Sequence, residues 1–156
     1  MKLEEGNLIK RDASSLKVAI VASRYNQKVI DRLIVGAQET FYSFGGAKKN
    51  IVTEMVPGAF EIPLAISMLV KKDYDLIVAI GCVIKGETPH YDYIVRTVTD
   101  AIMDISLRCS KPIGYGVLAT NNLREALERA GGSVGNKGVE AMQAAVEMKY
   151  VIDKYN

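Results

Sequence analysis

Short apolar runs alternate with longer segments of helical periodicity along this chain of 156 residues. The most apolar run, Leu76–Ile84, has the length of a strand and fits a central strand that is buried on both faces. Shorter apolar runs begin at Val18, Ile51 and Ile113, and residues at helical spacing follow each run. This alternation predicts a parallel sheet with helices on both faces, a doubly wound three-layer sandwich.

Glycine, proline and capping residues mark where the predicted helices begin and end. A glycine pair at 45–46 ends the first helix. Thr88 is predicted to cap the third helix, with Pro89 in its first turn. Asn122 and Glu125 resemble a capping box before the fourth helix. The predicted strands span residues 18–22, 51–56, 76–84 and 113–119, and the predicted helices span 29–44, 63–69, 88–105, 122–130 and 139–152.

Composition and charge exclude several classes of protein. Lys and Arg number 20 and Asp and Glu number 18, so the net charge is +2. That balance argues against the usual nucleic-acid binder and against a polybasic membrane protein. Hydrophobic residues are 49% of the chain and charged residues 24%, as in ordinary globular proteins. The length fits a single domain over residues 1–156.

Histidine, cysteine and the amino terminus indicate the cofactors and the compartment. A single His excludes a multi-histidine metal site, although it permits acid–base chemistry. Cys82 and Cys109 are far apart and form no C-x-x-C pair, which predicts a reducing compartment and no zinc site. The segment Met1–Asp12 has no apolar signal region, and no apolar run has the length of a membrane span. We therefore expect a soluble cytoplasmic protein without a metal.

Candidate chemistry lies where strands end, because open parallel sheets bind ligands beyond the carboxyl ends of their strands. Gly86, Glu87 and Thr88 join a buried strand to a helix, where backbone N–H groups form either an anion site or a plain turn. His90 follows in the first helical turn, as either a proton donor and acceptor or a partly exposed helix residue. The four loops concerned span residues 23–26, 57–61, 85–90 and 120–122.

Aromatic and acidic residues near these loops have two interpretations each. Tyr25 and Phe60 either form flat apolar walls for a ring or pack within the fold. Glu61 either accepts hydrogen bonds from a polyol or an amine, or is a charge in a first helical turn. Tyr115 is near the start of the last strand, toward the opposite edge of the sheet. A ligand that Tyr115 contacts is therefore expected to belong to a neighbouring subunit.

The glycine-rich segment 131–138 fits a hairpin between two helices better than a phosphate-binding P-loop. A P-loop needs glycine before its lysine and serine or threonine after it, whereas Asn136 and Gly138 flank Lys137. Arg129, Lys137 and Glu140 are charged residues around this turn. They are either solvated or part of a site.

Five segments together carry a specific resemblance to a known family. In chain order they are Val21–Asn26, Val56–Pro63, Ala79–Tyr93, Lys111–Val117 and Glu128–Gly138. In these segments, which are distributed over nearly the whole chain in family order, this chain resembles the 6,7-dimethyl-8-ribityllumazine synthase family of riboflavin biosynthesis. The resemblance implies a flavodoxin-like fold and a transferase without metal or organic cofactor. Its substrates would be 5-amino-6-(D-ribitylamino)uracil and 3,4-dihydroxy-2-butanone 4-phosphate, and its products the lumazine, phosphate and water.

The resemblance also implies roles for the candidate residues. The catalytic set would be His90, as the proton-transfer residue, with Arg129, Lys137 and Glu140. The substrate-binding set would be Tyr25, Ala59, Phe60, Glu61, Cys82, Val83, Ile84, Gly86, Glu87, Thr88, Tyr115 and Arg129. Three aromatic residues differ from those of many relatives. Tyr25, which would stack on the pyrimidine, replaces a Phe; Phe60 replaces a Trp; and Tyr115, which would come from the adjacent subunit, replaces a Phe.

The family assembles into pentamers, and some members combine twelve pentamers into an icosahedral shell of sixty subunits. Pentamer-only members tend to carry an insertion near the glycine-rich hairpin, and the short hairpin of this chain predicts the shell. Residues 1–15 would form an amino-terminal arm, in which Met1–Ile9 is either an extra strand or a segment that pairs with a neighbouring subunit. Riboflavin synthase is the candidate protein partner, and no nucleic acid or membrane is expected.

Two other functions stay open beside this one. An archaeal-type riboflavin synthase is a more distant relative, and the hairpin at 135–138 and the loop at 57–61 argue against it. A non-catalytic shell protein that binds flavin or lumazine would not need His90 or Arg129. The presence of both residues favours the enzyme.

Overall fold

A four-stranded parallel sheet forms the centre of residues 9–156, the part of the chain that the computed structural model describes. The strands are β1 (Val18–Ser23), β2 (Ile51–Val56), β3 (Leu76–Ile84) and β4 (Ile113–Thr120), in the order β2-β1-β3-β4. All three pairings between neighbouring strands are parallel. This order matches the doubly wound flavodoxin-like arrangement.

Helices cover both faces of the sheet. They are α1 (Gln27–Ser43), α2 (Ile62–Leu69), α3 (His90–Cys109), α4 (Leu123–Glu128) and α5 (Lys137–Tyr155). Buried residues of α1, α4 and α5 belong to one apolar cluster, and buried residues of α2 and α3 belong to another. The prediction of a three-layer sandwich with a flavodoxin-like fold is confirmed.

Strand β1 shows why the sheet separates two cores. Successive side chains of a strand point to opposite faces. Val18, Ile20 and Ala22 belong to the cluster under α1 and α5, whereas Ala19 and Val21 belong to the cluster under α2 and α3. All five side chains are fully buried. A strand that is buried on both faces therefore appears in the sequence as a continuous apolar run.

Helices α1 and α5 approach each other closely around Asn136, which caps α5. Its Oδ1 accepts hydrogen bonds from the N–H groups of Gly138 and Val139, at 2.8 and 3.2 Å, and its Nδ2 donates to the carbonyl of Arg32 at 3.1 Å. A Cβ added to Gly138 would lie 2.0 Å from the carbonyl oxygen of Leu33. The short hairpin before α5 consists of β5 (Ala130–Gly132) and β6 (Gly135–Asn136).

Several helix ends differ from the predicted bounds, among them the start of α3, the end of α3 at Cys109 instead of residue 105, and the end of the fourth helix. The capping role predicted for Thr88 is wrong, because α3 begins at His90 with Pro89 in the cap position, and no side chain makes a capping bond there. The fourth helix ends at Glu128 rather than at residue 130, which begins β5. The Asn122 cap is confirmed, since its side chain accepts from the Glu125 N–H at 2.9 Å.

The amino-terminal segment is partly described. The strand or arm predicted for Met1–Ile9 lies outside the described residues, apart from Ile9 itself. Close to it, the Ala13 N–H donates to the carbonyl of Phe44 at 2.7 Å, and the Tyr150 hydroxyl donates to the carbonyl of Asp12. None of the helices between residues 9 and 156 contains a stretch both apolar and long enough to cross a lipid bilayer.

Candidate active site

An open groove of about 710 Å³ lies at the carboxyl ends of β1, β2 and β3. This is the position that the parallel topology predicts for a ligand. The groove is lined by Tyr25, Asn26, Gly58, Ala59, Phe60, Glu61, Cys82, Val83, Ile84, His90 and Ile94. Three loops of the predicted set therefore meet in one place.

Two aromatic side chains form the apolar walls of the groove. Tyr25 is 74% exposed and Phe60 is 59% exposed. If these side chains were packed within the fold, they would be buried. In the described part of the chain both are largely exposed instead. Exposed aromatic faces beside a groove favour the interpretation in which they cover a planar ligand.

Asn26 holds the loop that carries Tyr25. Its backbone is left-handed, with φ of 60°, and its Nδ2 donates to the Cys82 carbonyl at 3.0 Å. On the other side of Tyr25, the Arg24 N–H donates to the carbonyl of Val56 at 2.8 Å. The loop that carries the Tyr25 ring is thus fixed by bonds to two neighbouring strands, which reduces the entropy that ligand binding would cost.

Glu61 is oriented by the turn that precedes α2. Its Oε2 accepts a hydrogen bond from the Gly58 N–H at 2.9 Å, as in a capping box. The carboxylate stays exposed and lines the groove beside Phe60. A carboxylate held in this way can accept hydrogen bonds from hydroxyl or amino groups of a ligand.

The end of β3 contributes main-chain groups. Pairing with β1 ends at Ile80, whereas pairing with β4 continues to Ile84. The Lys85 N–H donates to the carbonyl of Thr120 at 2.8 Å, so Lys85 faces β4. Because successive residues of a strand turn their backbone groups to opposite sides, the N–H and carbonyl of Ile84 face the groove.

Cys82 lies at the base of the groove and is buried. Burial raises the pKa of its thiol to about 11, and the hydrogen bond from Asn26 offsets only part of that shift. The thiol is therefore protonated at neutral pH and is not a nucleophile. The Cys82 side chain therefore contributes to the shape of the groove and does not react.

His90 is the first residue of α3 and lines the groove, with Ile94 one turn further along the helix. An imidazole exchanges protons near neutral pH, so this position suits acid–base chemistry on a ligand between the aromatic walls. Gly86, Glu87 and Thr88 are exposed in the connection before α3 and do not line the groove.

The charged residues predicted around the glycine-rich turn, Arg129, Lys137 and Glu140, lie in a second groove of about 320 Å³ beside β4. It is lined by Val117, Leu118, Ala119, Arg129, Val134, Lys137 and Glu140. Lys137 Nζ and Glu140 Oε2 are 3.0 Å apart, and Arg129 Nη1 donates to the carbonyl of Glu125 at 3.0 Å. A guanidinium has five donors, so Arg129 retains a planar set of N–H groups suited to an anion.

Tyr115 lies in neither groove. It is the third residue of β4, and its half-buried side chain packs against the apolar cluster under α2 and α3. Its hydroxyl oxygen is 2.6 Å from Oγ1 of Thr99. Burial raises the pKa of the Tyr115 hydroxyl, so the phenol is neutral at neutral pH.

Comparison with known proteins gives the family. Residues 15–152 match the sequence profile of the family described as 6,7-dimethyl-8-ribityllumazine synthase. The chain is 42% identical over 149 residues to the 6,7-dimethyl-8-ribityllumazine synthase of Campylobacter concisus (strain 13826), covering 95% of this chain and 94% of that protein. The chain belongs to the 6,7-dimethyl-8-ribityllumazine synthase family.

Two further synthases of the family extend the match. The protein of Campylobacter lari is 44% identical over 156 residues, covering 99% of this chain and 98% of its own length. That of Sulfurimonas denitrificans is 44% identical over 149 residues, covering 95% and 96%. The predicted family, the flavodoxin-like fold and the assignment as an enzyme are confirmed by these matches together with the sheet order.

Within one chain of this lumazine synthase family member, the predicted site residues form two separate sets. The first groove brings together Tyr25, Ala59, Phe60, Glu61, Cys82, Val83, Ile84 and His90. The second brings together Arg129, Lys137 and Glu140. Gly86, Glu87, Thr88 and Tyr115 line neither groove.

Sequence reasoning gave no role to Asn26 and Ile94, although both line the first groove. Asn after a strand is a common choice for a left-handed residue, which is the signal that singles out Asn26. Ile94 is four residues after His90, and residues at that spacing share a helix face. Both positions could therefore have been found from the sequence.

Proposed function

We propose that the protein catalyses the formation of 6,7-dimethyl-8-ribityllumazine from 5-amino-6-(D-ribitylamino)uracil and 3,4-dihydroxy-2-butanone 4-phosphate, with release of phosphate and water. The observation that carries this proposal is the first groove. It combines an exposed aromatic pair, a held carboxylate and the single histidine of the chain at the carboxyl ends of three strands. Family membership supports the same reaction.

The first groove suits the ribitylamino-pyrimidinedione. Tyr25 and Phe60 cover the planar ring, and burial of their exposed faces favours binding. The outward N–H and carbonyl of Ile84 meet the polar edge of the pyrimidine, and Glu61 accepts hydrogen bonds from the ribityl hydroxyls. Groups that bind the edge through the main chain also fix the orientation of the ring.

His90 moves the protons of the reaction. The 5-amino nitrogen attacks the ketone carbon, and loss of water gives an imine. Removal of a proton from the adjacent carbon expels phosphate, and the resulting enol becomes a carbonyl. The ribitylamino nitrogen then attacks that carbonyl, and loss of a second water closes the ring. Each step needs a proton taken from or given to the substrate, which a histidine beside the pyrimidine can do.

The phosphate of the second substrate is bound by Arg129, and Lys137 with its ion-pair partner Glu140 completes the charged side of the site. Arg129 presents a planar set of donors that matches a phosphate. The backbone of Gly86 and Glu87 and the hydroxyl of Thr88, which makes no capping bond, add donors near the start of α3. Since Arg129 and His90 line different grooves of one chain, the complete site is formed when the second groove of an adjacent subunit meets the first.

The proposed assembly is the one that the family resemblance implies, and the need for a shared site supports it. The adjacent subunit also contributes Tyr115, and the subunits form pentamers. The hairpin of residues 130–136 is short, which favours twelve pentamers in a shell. Strand β2 is an edge of the sheet and offers an unpaired side to the amino-terminal arm, residues 1–15, of a neighbour. Electron microscopy and sedimentation test this, and a monomer would contradict the shared site.

A direct assay tests the reaction. The purified protein is mixed with the two substrates, and the absorbance of the lumazine and the release of phosphate are followed together. We expect both products to form faster than in the uncatalysed mixture, in equal amounts. A protein that binds the lumazine without accelerating either signal would be a binding protein, and the proposal would be wrong.

Replacement of Arg129 by alanine is expected to raise KM for the dihydroxybutanone phosphate at least tenfold, because a charge-assisted bond to the phosphate contributes about 1.5 to 3 kcal/mol. KM for the pyrimidine should change little. The control is Arg124→Ala, since Arg124 lies in α4, which ends directly before Arg129, is exposed, and pairs only with Glu128 among the contacts of the described chain. Equal KM values for the phosphate substrate in both variants would remove Arg129 from the site.

A further inference from the structure

Tyr115 and Thr99 form a side-chain pair whose hydrogen-bond direction follows from a third group, the carbonyl of Val95. Oγ1 of Thr99 lies 2.7 Å from the carbonyl oxygen of Val95, one turn earlier in α3. The same Oγ1 lies 2.6 Å from the hydroxyl oxygen of Tyr115 on β4. Both distances are those of good hydrogen bonds.

The direction of both bonds follows from counting protons. A carbonyl oxygen can only accept, so the single hydroxyl proton of Thr99 is directed to Val95. The contact between the two hydroxyl oxygens still needs a proton, and only Tyr115 can supply it. Tyr115 therefore donates to Thr99, and Thr99 donates to Val95. The phenol oxygen of Tyr115 retains only its capacity to accept.

The surroundings stabilise this arrangement. Thr99 and Tyr115 are both half-buried, and Tyr115 packs with the apolar cluster that includes Val98 and Ile102 of α3. Tyr91, near the start of the same helix, is another phenol close to Tyr115, and it too is half-buried. Because burial raises the pKa of the Tyr115 phenol, the donated proton stays on Tyr115 at neutral pH.

We infer that Thr99 is a positioning residue, which fixes the Tyr115 ring and makes its hydroxyl an acceptor for an N–H or O–H group of the ribitylamino-pyrimidinedione. The inference rests on the proposed function, in which Tyr115 faces the site of an adjacent subunit. An oxygen that can only accept attracts a donor such as an amine or a sugar hydroxyl. It repels the oxygens of a fully ionised phosphate, so it separates the two substrates within one site.

The test compares Thr99→Val, which keeps the shape and removes the hydroxyl, with Thr99→Ser, which keeps the hydroxyl. Thr97→Val is the matched control, because Thr97 is exposed on the same helix. For Thr99→Val we expect KM for the pyrimidine to rise about three- to tenfold, the range of one hydrogen bond. We expect kcat and KM for the phosphate substrate to change less than twofold. Thr99→Ser and Thr97→Val should resemble the parent protein.

The same substitution in the Tyr115→Phe protein distinguishes a positioning role of Thr99 from a purely structural role. In the Tyr115→Phe protein no hydroxyl remains for Thr99 to hold, so Thr99→Val should have no further effect on KM for the pyrimidine. Sedimentation of each variant checks that the assembly is unchanged. If Thr99→Val raises KM equally in the parent protein and in the Tyr115→Phe protein, or raises it in neither, the inference is overturned.

Binding of the product separates this inference from the reaction itself. The fluorescence of 6,7-dimethyl-8-ribityllumazine is titrated with the parent protein and the same variants. If the parent protein does not accelerate the reaction, the proposed function fails, whereas weaker lumazine binding in Thr99→Val alone still supports the inference. Lumazine binding that is independent of Thr99, in an active parent protein, contradicts the inference and leaves the proposed function intact.

Discussion

The His90→Ala protein is expected to turn over about a hundredfold more slowly than the parent protein, the lower end of the range for a lost general acid–base group. In the proposed reaction, imine formation, loss of phosphate and ring closure each need a proton transfer, and His90 is the residue of the first groove to which the proposal assigns it. KM for either substrate should change much less, because the aromatic walls and Arg129 still bind. The value of kcat is measured at saturating concentrations of both substrates.

Two controls make the His90 result specific. His90→Asn keeps a polar side chain of similar reach without its proton chemistry, and it should be as slow as His90→Ala. Asp100→Asn changes an exposed side chain of the same helix and should turn over at the rate of the parent protein. If His90→Ala keeps kcat within twofold of the parent, proton transfer depends on another group and our assignment is wrong.

The largest loss of stability is expected from Gly138→Ala. The added Cβ would lie 2.0 Å from the carbonyl oxygen of Leu33 and 2.8 Å from its carbonyl carbon, which are main-chain atoms of α1. Relief would require α1 and α5 to separate, at a cost of about 3 kcal/mol or more in the free energy of unfolding. This is a large part of the total stability of an ordinary domain.

Denaturant unfolding at one fixed chain concentration measures this effect, because assembly makes stability depend on concentration. Gly86→Ala is the control for stability, since a Cβ at Gly86 meets no atom within 4 Å. Its free energy of unfolding should stay within about 0.5 kcal/mol of the parent value. A Gly138→Ala protein as stable as the control would show that the contact between the two helices can yield.

The strands were predictable because each central strand is buried on both faces. A strand such as Leu76–Ile84 contains only apolar side chains and a glycine because helices cover both of its faces, and its first seven residues are buried. The doubly wound three-layer arrangement followed from the same alternation together with the right-handed crossover rule, whereas the order of the strands was not predicted. Helix ends were less predictable, because Thr88 and Pro89 satisfy the rules for a helix start equally well at neighbouring positions.

The first groove was predictable for a topological reason. Its loops follow consecutive parallel strands, whose carboxyl ends meet at one edge of the sheet. The position of Arg129 and Lys137 in a second groove, away from His90, was not predictable from the sequence. It depends on how the hairpin and α5 pack beside β4. Thr99 gave no signal at all, since a threonine within a helix looks like a surface residue until Tyr115 is placed beside it.

The separation of the two grooves has a consequence for symmetry. When the first groove of one copy meets the second groove of the next, two different surfaces are joined, which is a heterologous contact. Such contacts run in one direction from copy to copy until they close into a ring. In a closed ring every chain shares a complete site with each of its two neighbours, so sites and chains are equal in number. An open chain of copies leaves a first groove unmatched at one end and a second groove unmatched at the other, so it has one complete site fewer than it has chains, and full activity then requires closure of the ring.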